Sequence, residues 1–246
     1  MAWRLAAIDP TGRSSASARA PKTSSWATLL VLLALCAGSA LACDSGQRYD
    51  QAVAVLIDVS GTYEDKKDET IALIKRQILP GMVPGDTIFV IRIDSESYDE
   101  SNLEALLTLD ARPSQANAQK LALAQKLDLF AKRRERARHT DIPGALMLAS
   151  EYLQEIGAGS SAILVFSDMQ TDLPTGAKRV LRDDELVGAR VAAVNVKRLP
   201  GDTYDPEVYR TRLARWEQAV RAAGALEWRA ILDPTRLTPF LIESRG

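Results

Sequence analysis

The sequence predicts an α/β domain with a mostly parallel central sheet and helices on both faces of that sheet. The first observation is a set of short apolar segments that are continuous rather than alternating, at residues 52–57, 87–91, 161–166 and 191–196. Continuous β-branched segments of this length are typical of strands buried on both faces, as parallel sheets require. The second observation is that helical segments separate these strands, which is the order of right-handed βαβ units.

The helices follow from residue spacing and from residues that begin or end helices. Isoleucines recur at helical spacing up to the pair Pro80-Gly81, and a long alanine-rich, charged segment follows later. Pro143 falls in the first turn of a helix that ends at Gly157, and Asp205 can cap another. These signals predict helices over residues 68–79, 114–138, 141–156 and 206–223. A weaker segment, 226–232, predicts a last strand, and 103–109 is either a short edge strand or a helical turn.

Composition excludes several classes of protein. The chain has 246 residues, of which 46% are apolar and 26% charged, so it is neither a disordered chain nor a polytopic membrane protein. A net charge of −1 argues against nucleic acid as a partner. Cys36 and Cys43 are the only cysteines and His139 the only histidine. The rest of the chain therefore has no internal disulfide, no thiolate metal site and no multi-histidine zinc site.

The first 43 residues are expected to form a targeting segment, followed by one domain over residues 44–246. A basic, polar start precedes an uncharged apolar stretch that ends in small residues, which is the order of a secretory signal. The sequence Ala40-Leu41-Ala42-Cys43 resembles the lipobox of bacterial lipoproteins, which implies lipidation of Cys43. The chain would then be exported and held by its lipid anchor on the periplasmic or outer face of a cell membrane, inner or outer. Plain secretion and an uncleaved anchor are the alternatives.

Carboxylates and hydroxyls cluster where strands end and where a helix begins. Asp58, Ser60 and Thr62 follow the first strand in a D-x-S-x-T pattern, Thr140 precedes the helix at 141–156, and Asp168 follows the strand at 161–166. Sites in parallel sheets lie at the carboxyl ends of the strands. Two carboxylates with hydroxyls, completed by water, suit Mg²⁺ or Mn²⁺ better than zinc.

These motifs make the chain similar to a von Willebrand factor A (VWA) domain with a metal-ion-dependent adhesion site. That family has D-x-S-x-S, then a Thr before a helix, then an Asp after the next strand. The resemblance implies a three-layer, Rossmann-like VWA fold and no catalysis. It implies a protein ligand that supplies an acidic residue to a bound Mg²⁺ (or Mn²⁺). The implied metal ligands are Asp58, Ser60, Thr62, Thr140 and Asp168, with Thr62 replacing the usual serine but keeping the hydroxyl.

Three other interpretations remain. A haloacid-dehalogenase-type phosphohydrolase would use Asp58 as its nucleophile, but Ser60 stands where that class has its general acid, and serine cannot hold a proton for a leaving group. The domain could instead be a VWA fold that binds no metal and acts as a structural module. The motif residues could also be ordinary turn and capping residues.

The basic stretch at residues 132–138 is either a solvated face or a steering patch for an acidic partner.

Overall fold

A six-stranded sheet forms the centre of the structure, a computed structural model that describes residues 50–134 and 136–243. The strand order is β3-β2-β1-β4-β5-β6, and every neighbouring pair is parallel except β2 with β3. This confirms the predicted α/β class. The strands are β1 (Gln51–Asp58), β2 (Thr87–Ile93), β3 (Leu103–Thr108), β4 (Ser160–Phe166), β5 (Ala189–Val194) and β6 (Glu227–Ile231).

Helices cover both faces of this sheet, which gives three layers. The helices are α1 (Lys67–Leu73), α2 (Pro113–Lys132), α3 (Ile142–Ile156), α4 (Pro200–Tyr204), α5 (Pro206–Ala222) and α6 (Leu237–Glu243). Alternate residues of β1 enter two separate cores: Val53 and Val55 pack with α1, α2 and α6, whereas Ala54 and Leu56 pack with α3 and α5. All of β1 is buried, which explains why its sequence is apolar without alternation.

Two predicted helices differ from the observed ones. The helix expected over 68–79 is α1 followed by a π-helical turn at Ile74–Ile78 and a 3₁₀ turn at Leu79–Gly81. The helix expected over 114–138 ends at Lys132 instead, because the chain beyond it becomes extended and pairs with the loop that follows β1. There the Ala137 amide donates to the Val59 carbonyl at 3.1 Å. A tertiary hydrogen bond here overrides helix propensity.

The remaining elements agree with the predictions or add to them. Within the segment 103–109, residues Leu103–Thr108 form the antiparallel edge strand β3 rather than a helical turn, and the weak last strand is β6. The short helices α4 and α6 were not predicted. Within the described ranges, no helix has both the length and the apolar character needed to cross a bilayer. The predicted leader over residues 1–43 and the lipidated Cys43 lie outside the described residues.

Candidate functional site

Asp58 is the last residue of β1, and its carboxylate is completely buried. One carboxylate oxygen accepts a hydrogen bond from the Ser60 amide at 2.8 Å. The other accepts one from the Ser167 hydroxyl at 2.6 Å, just beyond the end of β4. The Ser167 hydroxyl in turn accepts from the Met169 amide at 3.0 Å. The carboxylate is therefore held in one orientation by its own loop and by the neighbouring strand end.

A chain of hydroxyls connects this loop to Asp168. The Ser60 and Thr62 hydroxyl oxygens lie 3.1 Å apart, and the Thr62 hydroxyl donates to an Asp168 carboxylate oxygen at 2.9 Å. The second Asp168 oxygen accepts from the Gln170 amide at 2.8 Å. Four of the five residues that the sequence singled out thus form one polar cluster at the carboxyl edge of β1 and β4.

Thr140 reaches the same edge by a different connection. Its backbone pairs with Asp172, whose carbonyl accepts from the Thr140 amide at 2.6 Å and whose amide donates back at 3.0 Å. The Thr140 side chain is buried, and among the described residues its hydroxyl has no hydrogen-bond partner. The structure places Thr140 beside the segment that follows Asp168, without a hydrogen bond to the other four residues.

Two further residues, whose roles were not predicted from the sequence, shape the site. Ser167 fixes the Asp58 carboxylate, as described above. Asp141 is completely buried and caps α3: its carboxylate accepts from the Gly144 amide at 2.9 Å and pairs with Arg179 at 2.9 Å. An Asp two residues before a proline at the start of a helix is a recognisable capping signal. With its oxygens engaged in this way, Asp141 serves to hold the segment that carries Thr140.

The electrostatics of the cluster are dominated by the burial of Asp58. Burial raises the pKa of Asp58 from its ordinary 3.8 to about 6. This value already includes the hydrogen bonds from Ser167 and Ser60, which lower the pKa, and the negative charge of Asp168, which raises it. Across residues 50–134 and 136–243, no lysine, arginine or histidine forms an ion pair with either carboxylate. Two acids thus share one edge of the sheet without a cation.

The donor set fits a hard divalent cation. It consists of oxygen atoms only, two carboxylates and three hydroxyls, and such ligands suit Mg²⁺ and Mn²⁺. No group of three or more His, Cys, Asp or Glu side chains that could hold a metal occurs in the described part of the chain. A cation at this edge would therefore depend on the serine and threonine hydroxyls to complete its shell.

Comparisons with known proteins give distant structural similarity. No protein-family model matches the chain, and no curated protein matches it. Similar solved structures include the pilus adhesin SpaC from Lactobacillus rhamnosus GG in its open conformation, at 12% identity over 80% of this chain and 29% of that chain, TM-score 0.47. BatB from Bacteroides thetaiotaomicron is 14% identical over 79% of this chain and 96% of that chain, TM-score 0.43. A von Willebrand factor type A structure from Catenulispora acidiphila is 12% identical over 80% of this chain and 42% of that chain, TM-score 0.40. The chain thus spans less than half of the adhesin and of the von Willebrand factor type A structure.

Proposed function

We propose that this chain is an exported, membrane-anchored VWA-type domain that binds Mg²⁺ (or Mn²⁺) and uses the ion to hold an acidic residue of a protein partner. The observation that supports this most directly is the buried Asp58 carboxylate, which has no cationic partner among the described residues and connects through hydroxyls to a second carboxylate. The proposed metal ligands are Asp58, Ser60, Thr62, Thr140 and Asp168.

Each ligand would have a distinct task. Asp58 and Asp168 would balance the charge of the ion, while the three hydroxyls would complete its shell, directly or through water, without adding charge. A bound ion balanced in this way supplies an electrophilic centre that accepts a carboxylate from outside. The hydrogen bonds from Ser60 and Ser167 hold Asp58 in one orientation before any ion binds. Less side-chain entropy is therefore lost when an ion binds.

Thermal unfolding of the full-length chain in a nonionic detergent tests the metal. In EDTA and in millimolar Mg²⁺, the wild type is compared with Asp58→Asn and with Asp172→Asn. Asp172 is the matched control, because its side chain is 60% exposed and lies beside Thr140 without belonging to the proposed ligands. A ligand that binds only the folded state at a hundred times its dissociation constant stabilises it by about 2.7 kcal/mol.

We expect a Mg²⁺-dependent rise in the wild type and in Asp172→Asn, and none in Asp58→Asn. The proposal is refuted if neither 10 mM Mg²⁺ nor 10 mM Mn²⁺ raises the melting temperature of the wild type, or if the rise persists in Asp58→Asn. We expect no phosphatase activity in the same samples, since Ser60 cannot protonate a leaving group.

Anchoring is tested separately on the cysteines. If Cys43 is lipidated, metabolic labelling with a radioactive fatty acid should mark the wild type and Cys36→Ser but not Cys43→Ser. Cys36 is the matched control because it is the only other thiol in the chain. Equal labelling of both variants would contradict a lipid on Cys43.

A further inference from the structure

We propose that a basic hollow beside Thr62 binds an acidic segment of the partner protein, next to the residue that would reach the metal. The inference rests on the proposed function for the role of the metal and adds a second recognition element to it. The hollow has a volume of about 670 Å³ and includes Gly61 and Thr62 in its wall. Its charged lining residues are Glu64, Asp65, Arg134, Arg136, Lys197 and Arg198.

The described lining residues leave the hollow positive. Glu64 is shared between two arginines, with Arg134 at 4.0 Å and Arg136 closer. Lys197 pairs with Asp65 at 2.5 Å. Arg198 forms no ion pair within the described residues. Four cations against two acids leave two positive charges in excess, although the chain as a whole has a net charge of −1.

Two cationic side chains of the hollow are largely exposed and therefore accessible to a ligand. The side chains of Arg134 and Arg136 are 82% and 71% exposed. The Arg198 guanidinium lies over the Tyr209 ring, 5.0 Å from its centre. It forms no ion pair within the described residues, although the charge of Asp202 attracts it from a longer distance. Guanidinium groups bind carboxylates through paired hydrogen bonds, which makes an acidic peptide the chemistry that this hollow suits best.

Backbone hydrogen bonds fix the hollow to the proposed metal ligands. The extended segment after α2 is tied to the loop after β1, with the Ala137 amide on the Val59 carbonyl at 3.1 Å and an isolated bridge between Ala137 and Ser60. On the other side, the Lys197 ammonium donates to the Thr62 carbonyl. The basic segment therefore lies beside the metal loop rather than on an independent surface. A partner chain that places one carboxylate on the ion would carry its neighbouring residues across the hollow.

A fluorescein-labelled hexaglutamate peptide tests this with the full-length chain in a nonionic detergent. Fluorescence anisotropy is measured in EDTA and in 5 mM Mg²⁺, with hexaglutamine as the uncharged probe. Arg136→Gln/Arg198→Gln removes two charges from the hollow. Arg112→Gln/Arg221→Gln removes two exposed charges from the opposite edge of the sheet, where β3 ends and β6 begins. Arg198→Gln alone breaks no ion pair among residues 50–134 and 136–243, and it remains informative if circular dichroism shows that the double variant folds poorly.

In EDTA, we expect hexaglutamate to bind more tightly than hexaglutamine and to weaken as salt screens the charges. The hollow variant should bind roughly tenfold more weakly, as expected for two partly exposed charge pairs, and the control variant should match the wild type. Equal losses in both double variants, no preference for hexaglutamate, or equal displacement by inorganic phosphate would overturn the proposal. The metal is judged independently: Mg²⁺ should tighten binding in the wild type but not in Asp58→Asn. If Mg²⁺ does not tighten binding but the hollow variant still binds more weakly, the result would refute the metal site and support peptide binding in the hollow.

Discussion

Replacing Asp58 by asparagine removes a buried charge while keeping the shape of the side chain. The asparagine carbonyl can still accept from the Ser60 amide, whereas its amide group would face the Ser167 hydroxyl that now donates to the carboxylate. The prediction is that Asp58→Asn makes the metal-free protein more stable at neutral pH, although it abolishes the proposed metal site. Such a gain is expected where a residue serves a ligand at the expense of the fold.

The magnitude follows from the pKa of Asp58. Burial raises this pKa from 3.8 to about 6, which corresponds to about 3 kcal/mol against the charged form in the folded state. Rearranging the Ser167 hydrogen bond costs about 1 kcal/mol. The net gain of about 2 kcal/mol would raise the melting temperature by about 4–8 °C for a domain of this size.

The pH dependence has a definite sign. Because the folded pKa lies above the unfolded one, the unfolded state releases its proton first as the pH rises. The stability contributed by Asp58 is therefore fully present below pH 3.8 and is lost as the pH rises through about 6. The stability difference between Asp58→Asn and the wild type should be smallest near pH 4, grow between pH 4 and 6, and stay constant above pH 7.

Thermal unfolding in EDTA at a series of pH values, followed by circular dichroism, measures this difference directly. Other carboxylates titrate in both proteins and cancel when the two curves are subtracted. In saturating Mg²⁺ the wild type should regain its stability and the difference should close or reverse. A wild type that is as stable as Asp58→Asn at pH 8 in EDTA, or a difference independent of pH, would refute the reasoning.

Substitutions at Gly144 and Thr62, each with a control variant, test the geometry around the site. A Cβ on Gly144 would lie 2.2 Å from an Asp141 carboxylate oxygen, so Gly144→Ala should destabilise the protein by about 1–3 kcal/mol and weaken the Mg²⁺ response. Gly201→Ala, with open space around its Cβ, should do neither, and unfolding curves of the two variants decide the point. Thr62→Ser keeps the hydroxyl and should bind Mg²⁺ like the wild type by calorimetry, whereas Thr62→Ala, which removes the hydroxyl, should bind about tenfold more weakly. Equal affinities for the two Thr62 variants would exclude the hydroxyl as a ligand.

The central strands could be predicted from sequence because each is buried on both faces. The edge strand β3 could not be distinguished from a helical turn, because Leu106 is half exposed and the apolar residues follow neither a helical nor a strand period clearly. The end of α2 was missed for a different reason. Helix-forming residues continue to Arg138, and the bond between Ala137 and Val59 is visible only once the sheet is built. The helices α4 and α6 are too short for a hydrophobic period to show.

Some contacts of the candidate site could be predicted from local residue spacing, whereas others depend on the register of the strands. The spacing of Asp58, Ser60 and Thr62 and the strand end at Asp168 are local, and the structure brings these four together. The contact between Asp58 and Ser167 depends on the register of β1 and β4, in which Ile57 lies opposite Phe166. That register places the two following residues side by side, and no local pattern in the sequence encodes it.

The negative charge of Asp58 favours a ligand-binding role for this residue over a purely structural one. A turn or capping residue at this position needs an acceptor for the Ser60 amide, and an asparagine oxygen would supply it without a buried charge. Aspartate adds a second acceptor, for the Ser167 hydroxyl, and it adds a charge, which burial disfavours and the nearby Asp168 disfavours further. A purely structural role therefore leaves the buried negative charge unexplained. A bound divalent cation would offset the unfavourable effects of burial and of the Asp168 charge. If Mg²⁺ balances the two carboxylates, the excess positive charge of the basic hollow would supply the long-range attraction that draws an acidic partner to a chain of net negative charge.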